Sequence, residues 1–367
     1  MNIEPFKLER FFAEYEFSIK YQMSNSDCES MTIGELLRLG GEKSQSDFLS
    51  LYLAYTESRG YPPLRQAVSA LYSGIPADNI LIAAPEEAIF LTLHAHLGPR
   101  DHVIVMTPSY QSLEAVPQSI GCRITRWPVQ LVNGRWELDF NLLKESLTPD
   151  TRMLIINAPH NPTGLCFSHE EKLRIVELLR PTKTLLFADE MYWQLEYGEN
   201  VSAAPFCDLY DRAVSLSGFS KSYGLPGLRI GWLASQSEDL LSPAAALKDY
   251  TTICSSAPSE LLALTALEHG SYLIEKNMGI VRKNLAAVRE LGERHPSLEI
   301  IPGQGGSVIF PRLQDGQSAE ELSRRLIEHR DLLILPGNLF DMPDNFFRIG
   351  LGRANLPDIL RVFEKEL

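Results

Sequence analysis

Lys221 and Arg229 stand in the window AVSLSGFSKSYGLPGLRIGWLAS (Ala213 to Ser235), which holds two cations and no acid. Apolar runs flank them, Ala213 to Leu216 and Leu228 to Ala234. Each reads as a buried strand between small-residue turns. A lysine that loses water there costs free energy unless it is paired or deprotonated. Deprotonated, it is an amine nucleophile toward a carbonyl carbon. Two such cations without a local counter-ion call for an anion from elsewhere. The bland alternative is that both side chains snorkel to solvent, as most lysines do. What the other elements bring beside them decides the matter.

From about residue 75, short apolar strands alternate with helices: NILIAA, HVIVMTP, CRITRWP, MLIINAP, TLLFADE, AVSLSG and LRIGWLA, with helical stretches such as EEAIFLTLHAHL and HEEKLRIVELL between them. This alternation predicts an α/β domain with a mostly parallel sheet covered on both faces. Ligands of such sheets bind beyond the carboxyl ends of the strands. There the chain carries Pro85-Glu86-Glu87, Tyr110, Asn161, Asp189 with Tyr192, and Ser220-Lys221. Singly, each suits a turn, a cap or a core position. Together at successive strand ends they suit pyridoxal 5′-phosphate (PLP). A lysine holds its aldehyde as an imine and a carboxylate keeps its pyridine nitrogen protonated. Polar side chains hold its phenolic oxygen and an aromatic face stacks on the ring. A helix N-terminus and an arginine hold its phosphate, the anion called for beside Lys221 and Arg229.

The blocks APHNPTG, FADEMYW, SGFSKSYGLPGLRIGW and FFRIGLG resemble the signatures of the class I/II aminotransferases, PLP enzymes of fold type I and aspartate aminotransferase-like, in order over nearly the whole chain. The resemblance implies a large domain with a mostly parallel seven-stranded sheet between helices, plus a smaller α+β domain. It makes Lys221 the Schiff-base lysine and proton shuttle, and Asp189 the partner of the pyridine nitrogen. Tyr192 and Asn161 hold the phenolic oxygen, and Tyr110 stacks. Ser220, Arg229 and the backbone at Glu86 and Glu87 bind phosphate. Tyr55, five before Gly60, matches the tyrosine that reaches the neighbouring subunit's cofactor, which implies a homodimer. Arg348 matches the clamp on the substrate α-carboxylate. The implied activity is transfer of an amino group between an L-amino acid and a 2-keto acid. A carbon–sulfur lyase, a decarboxylase or an amino-acid cyclase would use the same Lys221 and Asp189. A catalytically silent PLP-binding protein and a dinucleotide-binding enzyme are weaker alternatives, since no basic recognition helix precedes the core and GLPGLRIG misspaces its glycines for the dinucleotide motif.

Three features depart from the pattern. Glu86 and Glu87 stand where the family often has small residues, and both side chains are expected to face solvent at a helix N-terminus. Gly218 stands where many relatives have serine, with Ser217 as a substitute. The loop SNSDCES (Ser24 to Ser30) replaces a glycine-containing substrate loop, with Asp27 and Glu29 as candidate substrate-facing acids.

The 367 residues carry a net charge of −13, which argues against nucleic acid or an anionic membrane as partner. No apolar run near eighteen residues predicts a membrane span. Five scattered cysteines and eight histidines lack metal-ligand spacing, so no metal is expected, and a reducing cytoplasm fits the free thiols. The expected organisation is an N-terminal segment, 1–45, joining the small domain; a large PLP-binding domain, 46–270; and a small C-terminal domain, 271–367. Within it, Pro5 to Tyr21 reads as an amphipathic helix, Thr32 and Glu35 as a capping box, and Ser271 to Arg294 as a long helix.

Overall fold

The structure, a computed structural model, describes residues 3–314 and 316–367. Its central sheet contains β1 (Ile80–Ala83), β2 (His102–Thr107), β3 (Arg123–Val132), β4 (Arg135–Leu138), β5 (Thr151–Asn157), β6 (Leu185–Asp189), β7 (Ala213–Gly218) and β8 (Gly231–Ala234). The spatial order is β1-β8-β7-β6-β5-β2-β3-β4. Neighbours from β7 through to β3 run parallel. β8 runs antiparallel to β7 and β1, and β4 antiparallel to β3. Near-continuous apolar runs are what a sheet covered on both faces requires. Alternate residues serve opposite faces: Ile80, Ile82, Ile104 and Met106 pack in one core cluster, Leu81, Ala83, Val103 and Val105 in the other.

The sheet has eight strands rather than the expected seven. The eighth, β4, is the return arm of a hairpin. Its Asn133-Gly134 turn has positive φ at both residues, 50° and 76°, the backbone that Asn-Gly favours because it matches strand twist. The run Leu228 to Ala234 is shorter as a strand than expected. It opens with a 3-10 turn (Pro226–Leu228) and a left-handed Arg229, and pairing begins only at Gly231.

A second cluster lies under a small antiparallel sheet of β9 (Val308–Ile309), β10 (Leu335–Pro336) and β11 (Phe347–Gly350), ordered β9-β11-β10. The first helix, α1 (Lys7–Tyr15), ends well before Tyr21, because Tyr21–Gln22 pairs in parallel with Leu332–Leu333. Helix α2 (Pro85–His96) follows β1 and has proline in its first turn. Helix α3 (Gly270–Arg294) buries Leu273 in the large core and Met278, Val281, Leu285, Val288 and Leu291 in the small one. Its apolar spacing of three and four keeps one face inward. The N-terminal segment divides: Met23 and Cys28 lie in the small core, while Leu8, Leu36 and Leu37 lie in the large one. The capping box of Thr32 and Glu35 forms as expected.

Candidate active site

The carboxyl ends of β2, β5, β6 and β7 open onto a cleft of about 180 Å³. Asn161, Asp189, Tyr192, Ser220, Lys221, Arg229, Arg348, Tyr110 and Glu86 all line it. Nine of the eleven predicted site residues therefore meet.

Lys221 follows β7 by three residues. Its Nζ donates to Ser26 Oγ at 2.7 Å and sits 5.8 Å from the centre of the Tyr192 ring. Burial lowers its pKa to about 8; Asp27 opposes this and Arg348 adds to it. Asp189 ends β6 and is raised to about 7, again first by burial, although Met191 N–H donates to its Oδ1 at 3.1 Å. Lys221 is thus part-buried, its side chain desolvated enough to lower its pKa. Arg229 is not: it is exposed, with its guanidinium bonding only the nearby Pro226 carbonyl. Its position in the turn ahead of β8, rather than within a strand, sets it on the cleft rim.

Arg348 lies in β11, 1% exposed. Its Nη1 donates to Asn161 Oδ1 at 3.0 Å and its Nη2 to the Ser24 carbonyl at 2.9 Å. Among the described residues it has no acidic partner, and its Nε is buried without an acceptor. The Tyr192 hydroxyl and the Ser220 hydroxyl are likewise buried without partners. Buried polar atoms are nearly always bonded, so a cleft with several orphaned ones on its walls is built for a polar ligand.

Two predicted residues stay outside. Tyr55 is 88% exposed on the loop 50–61 and touches nothing in this cleft. Glu87 turns away, accepting from Thr251 Oγ1, from Thr252 Oγ1 at 2.8 Å and from Thr252 N–H at 3.3 Å. Glu86 also departs from its solvent-facing expectation. It lines the cleft, accepts from Ser112 Oγ at 3.3 Å, and is raised to about 6 by burial. The first turn of α2, which begins at Pro85, thus lies against the cleft, with Pro85 and Ile89 lining it beside Glu86. The two acids of the SNSDCES loop are engaged elsewhere: Arg353 pairs with Asp27 at 2.6 Å, and Ala354 N–H donates to Glu29 at 2.8 Å.

Several residues that organise the site were not singled out from sequence. Asn157, the last residue of β5, donates to the Asp189 carbonyl at 2.9 Å and accepts from Asn161 N–H at 2.7 Å. One buried amide thus sets two neighbouring strand ends. Its signal was a polar residue closing the apolar run MLII. His160 Nε2 donates to the Pro108 carbonyl at 2.7 Å, which leaves Nδ1 to accept from the Thr163 hydroxyl at 2.7 Å. Burial drops its pKa to about 4, so it is a neutral tie between the loops carrying Tyr110 and Asn161. Ser26 and Ser24 arrive because the loop lies flat on β11, where a Cβ at Gly350 would overlap the Asn25 carbonyl. Gly218 is required for a similar reason. It pairs with Gly231, and a Cβ there would come within 3.0 Å of Gly231 Cα. A serine at that position would force Gly231 or Ile230 to give by a few tenths of an ångström.

The fold and this strand-end cleft define a PLP-dependent enzyme of the aspartate aminotransferase fold. The family model of class I and II aminotransferases matches residues 47–360, and the chain belongs to that family. It is 31% identical over 365 residues to capreomycidine synthase from Streptomyces vinaceus, covering 98% of this chain and 93% of that one. It resembles the solved structure of a PLP-dependent aminotransferase from Streptococcus suis 89-1591, with a TM-score of 0.93 at 28% identity over 100% of this chain and 97% of that one. It also resembles the PLP-dependent cyclase OrfR, with a TM-score of 0.90 at 29% identity over 100% and 98% of the two chains.

Proposed function

We propose that this chain is an aminotransferase that moves the amino group of an L-amino acid to a 2-keto acid, with Lys221 as its catalytic amine. The observation that carries this reading is Lys221 itself: a part-buried amine, lowered toward neutrality, sharing one cleft with Asp189 and Arg348. The orphaned polar atoms fit PLP. Asp189 would face the pyridine nitrogen, the Tyr192 hydroxyl and the free amide N–H of Asn161 the phenolic oxygen, and Tyr110 the ring face. Ser220, Arg229 and the N–H groups of Glu86 and Glu87 would hold the phosphate. When bound, PLP supplies an aldehyde carbon for an amine and a ring that accepts the electron pair left by a departing Cα proton.

The chain's own groups then have separable tasks. With a pKa near 8, Lys221 is neutral in a useful fraction of molecules near neutral pH, so it can take the Cα proton and return it. Ser26 Oγ, at 2.7 Å, orients the amine. Arg348, held by Asn161 and Ser24, presents its remaining N–H groups to the α-carboxylate. Asp189, in an environment that raises it to about 7, is only partly ionised near neutral pH, and a protonated ring nitrogen facing it would hold it ionised. Tyr55 is exposed beside Tyr52 and Leu53, which suits a residue that would reach a second copy's cleft. We therefore infer a homodimer, and a mass of one chain in sedimentation of an active sample would contradict it. Five free cysteines suit a reducing cytoplasm.

A second reading, cyclisation of an amino acid, is favoured by the similarity to capreomycidine synthase along nearly the full chain. The two are separated by incubating the enzyme with a donor amino acid and no acceptor. Amino-group transfer releases one keto acid per site and stops until a keto acid is added. Continuous turnover to a ring product or to ammonia without an acceptor would reject it.

A further inference from the structure

The charges around the cleft are divided between its two ends. Arg348 is buried, makes no ion pair among the described residues and keeps an orphaned Nε, with Asp27 and Glu9 near enough to act on it through space. That end suits a carboxylate. α1 contributes Leu8, Glu9 and Phe12 to the same lining. Tyr110 O–H donates to Glu9 Oε1 at 3.2 Å, which fixes that carboxylate at the edge of the ring-stacking tyrosine and leaves its other oxygen open. Among the described residues, no cation lies within ion-pair distance of Glu9 or of Glu16, one α-helical face further along. Glu16 is raised in pKa first by burial and then by the charges of Glu9 and Asp27, with Arg353 and Lys221 acting the other way. Asp27 is already neutralised by Arg353, and Asp189 and Glu86 lie at the ring-nitrogen and phosphate ends. Glu9 is left facing the substrate. The residues beside it matter too: Leu8 and Phe12 form an apolar wall leading to the acid, the setting in which a long methylene stem buries while its charged tip stays paired.

We propose that the cleft takes an α-amino acid with a long side chain ending in a cation, its carboxylate on Arg348 and its terminal guanidinium or ammonium on Glu9. This rests on the reading of the cleft as a PLP-dependent amino-acid site. Arg348 alone would accept any amino acid; the open carboxylate selects among them. A glutamate side chain would meet Glu9 with like charge, and a norleucine side chain would leave Glu9 without a partner.

The test is titration of the PLP-loaded enzyme, without acceptor, with L-arginine, L-lysine, L-norleucine and L-glutamate, followed by calorimetry and by the absorbance of bound cofactor. Arginine or lysine, or both, should half-saturate at concentrations at least tenfold below norleucine, with glutamate weakest; arginine against lysine tells guanidinium from ammonium. In Glu9→Gln the preference of the better cation over norleucine should fall at least tenfold, and in Glu9→Lys it should invert toward L-2-aminoadipate. Because Glu9 is an exposed position on α1, both variants are expected to fold. Norleucine or glutamate binding as tightly as both cationic amino acids, or a preference that survives Glu9→Gln, would overturn the proposal. Failure of every amino acid to bind would reject the amino-acid site itself, and this proposal with it.

Discussion

Replacing Lys221 by methionine should make the cofactor-free protein more stable, although it removes the proposed catalytic amine. An ordinary lysine titrates near 10.5 and Lys221 near 8, with burial the first cause. A lysine whose folded pKa is depressed carries its full cost below the folded pKa, where both states are protonated. The cost fades as pH rises toward the unfolded pKa, where both become neutral. From these two values it is about 3 kcal/mol at pH 7 and about 1 kcal/mol at pH 10. Methionine has similar length and no charge, so it removes this cost. It also removes the bond to Ser26 Oγ at 2.7 Å, which returns roughly 1 kcal/mol in the other direction. The net expectation is a gain of about 2 kcal/mol at pH 7, shrinking to nearly nothing at pH 10. Urea unfolding of both apoproteins, at equal concentration and at the two pH values, reads it as a shift in midpoint with unchanged slope. A variant less stable than wild type at pH 7, or a gain that does not shrink with pH, would refute the argument that Lys221 is held in a desolvated site.

Three other substitutions probe separate parts of the cleft. Glu86→Gln should tighten phosphate-bearing cofactor about tenfold at pH 8, because it removes a like charge from the phosphate end, roughly 1–2 kcal/mol at an effective dielectric near 20. Since burial raises Glu86 to about 6, the two proteins should converge below that pH, where the wild-type carboxyl is protonated; cofactor dissociation followed by fluorescence measures both arms. Arg348→Lys keeps the charge and loses the forked donors, so KM for the amino donor should rise roughly ten- to hundredfold, the worth of a charge-assisted bond, and an unchanged KM in steady-state kinetics would remove Arg348 from substrate binding. Gly218→Ser should destabilise the fold by about 1–3 kcal/mol through overpacking against Gly231, seen as a lowered thermal midpoint, whereas a neutral result would show that β7 and β8 can separate.

The parts of the site legible in sequence were those on the sheet. A period-2 strand with a buried end fixes where its next few residues go, so Asp189, Asn161 and Lys221 could be placed from the strands alone. What could not be read depends on which other segment lies opposite. Arg229 looked buried because the residues after it are, yet the chain turns before the strand begins. Asp27 and Glu29 looked available because Arg353 and Ala354 are more than three hundred residues away in sequence. The serines of the same loop, unremarkable as letters, turned out to hold Lys221 and Arg348, since the missing Cβ atoms at Gly350 and Gly352 let the loop lie against β11 and the residues after it.

This division has a consequence for how the enzyme can change its substrate. The groups that suit the cofactor come from the ends of β2, β5, β6 and β7, where Asn157 and His160 tie neighbouring strand ends and loops together. A substitution there disturbs several buried bonds at once, each worth roughly 1–3 kcal/mol when orphaned. The wall opposite is α1, a nine-residue helix whose single fully buried residue is Leu8. Its cleft-facing Glu9 is exposed and bonded through one hydroxyl. Changing it costs the fold little, because exposed positions tolerate substitution within a few tenths of a kcal/mol. On the proposed reading, the same backbone would keep its PLP chemistry fixed at the sheet and vary the amino acid it accepts through an exposed position of a helix anchored to the large core by Leu8.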